Sequence, residues 1–323
     1  MLPWTQKKCS MLSRTAANLY WIGRYMERAE FTTRLIEATL RLSSLSYGAN
    51  AATAAWESAL AVVGRGPPPG EVAAPGATAF NVCRTLALDE ENPNSVRSSL
   101  AAARNNARSA RNAITAEVWE AINRAWLEVR DRTSPGGIQS TFALVNLLKA
   151  NSRGFEGGLA RMLRHESFWF MRLGSAIERG DNTARLLDVK YYLLLPKTEM
   201  VGGTLDRDQW TAILETVSAR NAYRLLYQSS LKPWLVADML VFREELPRSI
   251  VGASSEVVDL LAAIGGRTGR QGEADRQARL RHSSLVENNI NEVFSNGLHE
   301  FLREYIAENQ RLDTAISKQF RFP

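Results

Sequence analysis

The chain has 323 residues, 40 basic and 34 acidic, for a net charge of +6, and 45% of it is apolar. These proportions exclude a disordered or fibrous chain and describe a globular protein able to bury a generous core, in one large or two ordinary domains. The moderate positive charge is compatible with an anionic partner but demands none.

No stretch approaches the ~20 uninterrupted apolar residues of a bilayer span, and the start MLPWTQKKCSMLSR has no apolar signal core. Cys9 and Cys83 alone make no disulfide framework, so a cytoplasmic location is expected, with no membrane partner. Nucleic acid is an unfavoured partner, because no binding motif occurs and the aromatics are not interleaved with lysines.

Few segments alternate with period two, and the chain reads as helix nearly throughout. A first helix, roughly 12–46, ends in SSLSYGAN, where Gly48 can terminate it. A short helix over 56–63 precedes the loop GRGPPPGEVAAPGA at 64–77. FNVCRTLALDEENPNSV then gives a short helix and a proline turn, with Asn94 or Ser95 as N-cap. A helical stretch from Ser95 to about Arg132 is broken near Thr115, which can cap a new start at Ala116. After SPGG, a helix over 138–152 leads through NSRGFEGG to a second long helix ending at Pro196. SARNAYRLLYQSSLKPW also reads as helix. GGRTGRQGEADRQAR at 265–279 reads as a linker, a long helix over 285–309 follows, and the tail KQFRFP is expected to be loose.

The sequence uses one stretch twice. MLSRTAANLYWIGRYMERAEFTTRLIE (11–37) aligns without a gap with MLRHESFWFMRLGSAIERGDNTARLLD (162–188) at an offset of 151. Gly23, Glu27, Arg28, Thr32 and Arg34 reappear as Gly174, Glu178, Arg179, Thr183 and Arg185, and Glu30 becomes Asp181. At an offset of 154, Trp56, Pro93 and Ser95 recur as Trp210, Pro247 and Ser249. The predicted fold is therefore an all-α helical bundle of two repeated halves, 11–155 and 156–323, related by a pseudo-twofold axis. Residues 1–10 read as an N-terminal extension.

At about 100° per residue, Leu19, Ile22, Met26, Ala29, Thr33, Ile36 and Leu40 form a core stripe. Gly23, Glu27, Glu30 and Arg34 lie along its edge, as do Gly174, Glu178, Asp181 and Arg185 in the second copy. Glycine inside a helix costs about 0.5–1 kcal/mol against alanine, so its use here is close approach of another backbone. Glu27, Glu30, Glu178 and Asp181 are the catalytic candidates, expected to meet near the axis with Arg28, Arg34, Arg179 and Arg185 balancing them. A di-metal carboxylate site needs Glu-x-x-His pairs, and here the fourth positions are Glu30 and Asp181, so no metal is assigned. A carboxylate-only magnesium site is the remaining metal alternative. Simple ion pairing is the other reading, since Glu30–Arg34 and Asp181–Arg185 have i,i+4 spacing.

Arg104, Arg108 and Arg111 share a second helical ridge, with Asn105 and Asn106 beside it. Arginine forks suit phosphates and carboxylates, whereas a solvated face or pairing with Asp89, Glu90 and Glu91 is the structural alternative. Trp21, Trp119, Trp126, Trp169 and Trp210 sit within the helical patterns as core or interface residues. No glycine-rich phosphate loop, nucleophile elbow or Cys/His zinc spacing occurs.

The stretch at 11–37, with NARSARNAITAEVWEAIN at 106–123, WFMRLGSAIERGDNTARLLDVKYYLLLP at 169–196 and the turn LPRSI at 246–250, resembles the bacterial alpha-E domain family. The resemblance runs from about residue 11 to about 310. It implies an all-helical protein associated with a circularly permuted ATP-grasp ligase and so with peptide synthesis or modification. On that basis the expected role is an accessory, non-catalytic helical partner that binds the ligase and an acidic or peptide substrate, without a cofactor. The alternatives are a stand-alone enzyme using the carboxylate cluster, with or without a divalent metal, and a homodimeric helical scaffold joined through its C-terminal helix.

Overall fold

The computed structural model describes residues 11–45, 49–65, 78–193 and 203–323. The terminating roles read for Gly48 and Pro196, the loop at 66–77 and the extension carrying Cys9 lie outside the described residues. Within them the chain forms fourteen α-helices, one turn of 3-10 helix at Arg111–Ala113, and no strand.

Two long helices, α1 (Ser13–Ser43) and α7 (Glu166–Leu193), cross at the centre. All seven stripe residues of α1 are buried, so the 3.6-residue period read from sequence is the one that packs. Against α1 lie α2 (Ala49–Val62), α4 (Val96–Ser109), α6 (Ile138–Ala160) and α8 (Thr204–Thr216), with α3 (Ala79–Ala87) beneath and α5 (Ala116–Arg130) between α4 and α6. Two short helices, α9 (Arg220–Tyr227) and α10 (Pro233–Phe242), lead to α11 (Ile250–Thr268), which packs on α7. The chain finishes with α12 (Glu273–Glu287), α13 (Ile290–Asn296) and α14 (Leu298–Phe320), the last lying along α7. Lys190 at the end of α7 ties it to α8, donating to Asp206 at 2.7 Å and Gln209 at 2.6 Å in a buried site.

Side-chain caps set several starts. Ser95 accepts from the Ser98 amide at 3.1 Å, Thr115 from Val118 at 3.4 Å, and Ser249 from Gly252 at 2.8 Å. Ser249 is fully buried, so its hydroxyl replaces water for an amide that has no helical partner. Ser249→Ala should cost about 1 kcal/mol, read as a lowered urea midpoint with an unchanged slope. An unmoved midpoint would mean that the cap does not hold α11.

Four elements depart from the sequence expectation. Helix α6 continues past 152 through NSRGFEGG, because Phe155 and Leu159 are buried and Gly158 presses on α5. A Cβ at Gly158 would sit 3.2 Å from the Val118 amide nitrogen. The stretch 218–234 is not one helix: Gln228 turns left-handed at φ 45° and Pro233 restarts the chain as α10. The supposed linker at 265–279 is mostly helix. Only Gly269–Gly272 separates α11 from α12, with Gly269 at φ 70° and Asp275 accepting from the Gly272 amide at 3.0 Å. The predicted helix at 285–309 is divided between α12, α13 and α14, Asn289 capping α13 through bonds from Asn291 and Glu292, both at 3.1 Å. The aromatic tail is also packed rather than loose. Phe320 meets Phe170 edge-on at 5.0 Å, and Phe322 lies 5.5 Å from Tyr20, between ring centres.

Candidate functional site

The crossing of α1 and α7 is as tight as two backbones allow. A Cβ on Gly23 would fall 1.9 Å from the Met171 carbonyl oxygen, and one on Gly174 would fall 2.0 Å from that of Tyr20. Beside them the Ser175 hydroxyl donates to the Gly23 carbonyl at 3.2 Å.

One helical turn on, Glu27 and Glu178 are buried, 3% and 2% exposed. Each is held by an arginine of the other helix. Arg179 Nη2 donates to Glu27 Oε2 at 2.8 Å, while Arg28 donates to both oxygens of Glu178 at 2.6 and 3.0 Å. Arg24 Nε adds a bond of 2.6 Å to Glu178 Oε2. On the Glu27 side, Arg248 reaches in from the turn before α11, 3.1 Å from Glu27 and 3.1 Å from Glu30. Arg179 and Arg172 continue this network to Glu256 on α11, and Arg172 to Glu156 on α6 at 3.2 Å.

Burial alone would raise both carboxyls. The guanidiniums of Arg179 and Arg248 around Glu27, and of Arg28 and Arg24 around Glu178, outweigh it and hold each at about 2. Both are therefore ionised at neutral pH. Glu156 is displaced the other way, raised first by burial and then by the nearby charge of Glu27.

The four candidate acids do not share one centre. Glu27 and Glu30 are bridged by Arg248, while Glu178 and Asp181 face a separate polar cavity, so the single meeting point expected from the repeat is replaced by two networks. The cause is the arginines: interleaved across the crossing, they separate carboxylates that would otherwise repel. The i,i+4 pairs are formed, Arg34 to Glu30 at 2.8 Å and Arg185 to Asp181 at 2.7 Å. Among the described residues no three His, Cys, Asp or Glu side chains cluster as metal ligands.

The cavity beside Glu178 has a volume of about 240 Å³. Its walls are Arg24, Arg28 and Thr32 of α1, Glu178, Asp181, Asn182 and Arg185 of α7, Asn309, Gln310 and Asp313 of α14, and Asn94 from the proline turn, with Phe31, Val62, Val63 and Gly64 closing the rest. Asp313 accepts from Arg24 Nη1 at 2.7 Å and from the Tyr20 hydroxyl. Asn94 accepts from Arg28 Nη1 at 3.3 Å and donates to the Val63 carbonyl at 3.0 Å.

Asn94 and Arg248 occupy corresponding places in the repeat, 154 residues apart. Asn94 was read from sequence only as a possible N-cap and Arg248 only as part of its proline turn, so neither was expected at the site. Arg24 was hidden because its counterpart 151 residues on is Ser175. Asp313 lies beyond the predicted end of the last helix.

The second ridge is differently used. Arg104 and Arg111 lie over the Trp119 ring, 5.8 and 5.7 Å from its centre, and Arg104 donates to Asn123 at 2.8 Å. Arg108 is exposed and Asn106 half-buried on the same helix. Two of the expected acids are engaged elsewhere: Glu90 pairs with Arg97 at 3.2 Å, and Asp89 accepts from the Glu91 amide at 3.1 Å. Cys83 is buried, its thiol pushed up to about 12 by burial, which disqualifies it as a nucleophile near neutral pH. No described helix is long and apolar enough to cross a membrane.

No curated protein and no solved structure gives a significant match to the chain. The Alpha-E family, described as a predicted alpha-helical domain with a conserved ER motif, matches residues 11–320. The Glu-Arg dipeptide occurs twice in the sequence, as Glu27-Arg28 and Glu178-Arg179, and each member of one pair bonds its opposite in the other. With that match spanning nearly its whole length, the chain belongs to the Alpha-E family.

Proposed function

We propose that the protein is a non-catalytic helical partner of an ATP-grasp-type peptide or amide ligase, docking the enzyme and presenting an acidic or peptide substrate. The observation that carries the non-catalytic half of this reading is the state of Glu27 and Glu178, while the ligase partnership rests on the family resemblance. Carboxyls held at about 2 by two arginines each are poor proton carriers near pH 7, where a general base works best with a pKa close to the ambient pH. Their arrangement suits a structural clamp better than an acid–base pair. The nucleotide-handling step then belongs to the partner, and a partner that consumes ATP places the complex in the bacterial cytoplasm.

We propose further that the chain is one module doubled, with halves 11–155 and 156–323 related by a local twofold axis through the α1–α7 crossing. Reciprocal contacts between equivalent positions support it: Gly23 on Met171 and Gly174 on Tyr20, Glu27 with Arg179 and Glu178 with Arg28. Co-expression with an ATP-grasp-type peptide or amide ligase from the same genome tests the partnership. The two should co-elute on size exclusion, and ligation should slow when this chain is left out. Separate elution together with an undiminished ligation rate would refute the reading.

A further inference from the structure

The two networks at the crossing are built alike but end differently. On one side Arg248 spans Glu27 and Glu30. On the other the equivalent residue is Asn94, whose short amide accepts from Arg28 and donates to the Val63 carbonyl without reaching either carboxylate, and the cavity lies beside it. Two of its wall residues carry polar atoms with no hydrogen-bond partner in the protein, the Thr32 hydroxyl and the Asn182 amide nitrogen. Thr32 is 1% exposed and Asn182 8%. Leaving a buried polar group unmatched costs free energy, and both of these residues line the same cavity.

We infer that this cavity is a binding site for a small free zwitterion of the α-amino-acid class. The charge count favours that class. Among the described residues the wall holds three arginines and three carboxylates, so a net anion or cation would enter without its countercharge. A ligand bearing both signs meets both. Arg185 uses only its Nε on Asp181, leaving its terminal nitrogens and the Asn182 amide for a carboxylate. Asp313 spends one oxygen on Arg24 and Tyr20 and Asp181 one on Arg185, which leaves an acceptor on each for an ammonium. The volume of about 240 Å³ is below the ~300–1,000 Å³ of sites for drug-sized ligands, which matches an occupant of single amino-acid size.

The inference deepens the substrate half of the proposed function and rests on that reading for its biological use, but binding to this cavity is measured on the isolated full chain without any ligase. The probes are the common L-amino acids, Ala-Ala, and the N-acetyl and C-amide forms of whichever binds, followed by thermal shift and calorimetry. A saturable rise in Tm is expected with a free zwitterion, and its loss when either end is blocked. Thr32→Val keeps the side chain's shape and removes a hydroxyl that has no protein partner, so the ligand-free Tm should stay while affinity falls about tenfold, roughly one hydrogen bond. Asn182→Leu is the second variant and should weaken binding similarly. The site is refuted if no probe binds, if blocked and free forms bind alike, or if both variants bind as wild type does. Co-elution with the ligase alongside any of those results removes this site and spares the partnership, whereas binding without co-elution does the reverse.

Discussion

Gly23→Ala and Gly174→Ala should each destabilise the protein by more than about 3 kcal/mol, even though alanine is the better helix former. The propensity gain is only about 0.5–1 kcal/mol. Against it stands a methyl group 1.9 or 2.0 Å from a backbone carbonyl oxygen, far inside van der Waals contact. A flexible side chain would move aside, but the obstructing atoms belong to the middle of α1 and α7. Relief therefore means pushing the two central helices apart, which lengthens the bonds between Glu27 and Arg179 and between Glu178 and Arg28 as well. Overpacking of a rigid site costs about 1–3 kcal/mol and sometimes more, and the loss of coupled ion pairs adds to it. Chemical denaturation of each variant gives the number, and a stability within about 1 kcal/mol of wild type would show that the crossing yields easily. The double variant should lose less than the sum, since one separation of the helices relieves both clashes.

How much of this was legible in the sequence depends on the range of the interaction. The apolar stripe of α1, the caps Ser95 and Thr115, and the pairs Glu30–Arg34 and Asp181–Arg185 are all local, fixed by helical spacing within a few residues, and they form as read. The close approach at Gly23 was also readable, because a costly residue repeated at one place asks for a reason. What sequence spacing does not contain is which arginine reaches which acid across a crossing. That pairing follows from the angle and offset of two helices, so the four acids were grouped at one point when Arg248 and Arg28 divide them. Glycine and charge also misled the reading of 265–279, where Ala274, Asp275 and Ala278 turn out to be buried on a helix that presents its polar side outward.

Glu178→Gln should be nearly as damaging as the glycine variants, and its effect should depend on pH. The glutamine amide keeps the shape but removes the charge facing Arg24 and Arg28, leaving two guanidiniums at a site where the carboxylate is 2% exposed. Removing one member of a buried ion pair costs about 3–5 kcal/mol. The depressed pKa agrees with this: a fall from 4.5 to about 2 on folding corresponds to about 3 kcal/mol. Because the folded carboxyl is more acidic than the unfolded one, that contribution is complete above about pH 4.5 and disappears as the pH falls towards 2. Wild type should then lose stability across that window, while Glu178→Gln, already without the charge, loses less. The gap between them should be widest near neutral pH, about 5 °C in Tm, and should narrow steadily in acid. A gap that stays constant from pH 7 to pH 3 would mean that the side chain acts through packing alone, and the reading of Glu178 as an ionised clamp would fall. Glu27→Gln should follow the same course, because Arg179 and Arg248 hold its carboxyl equally low. Opposite behaviour at the two positions would separate the two networks that the crossing brings together.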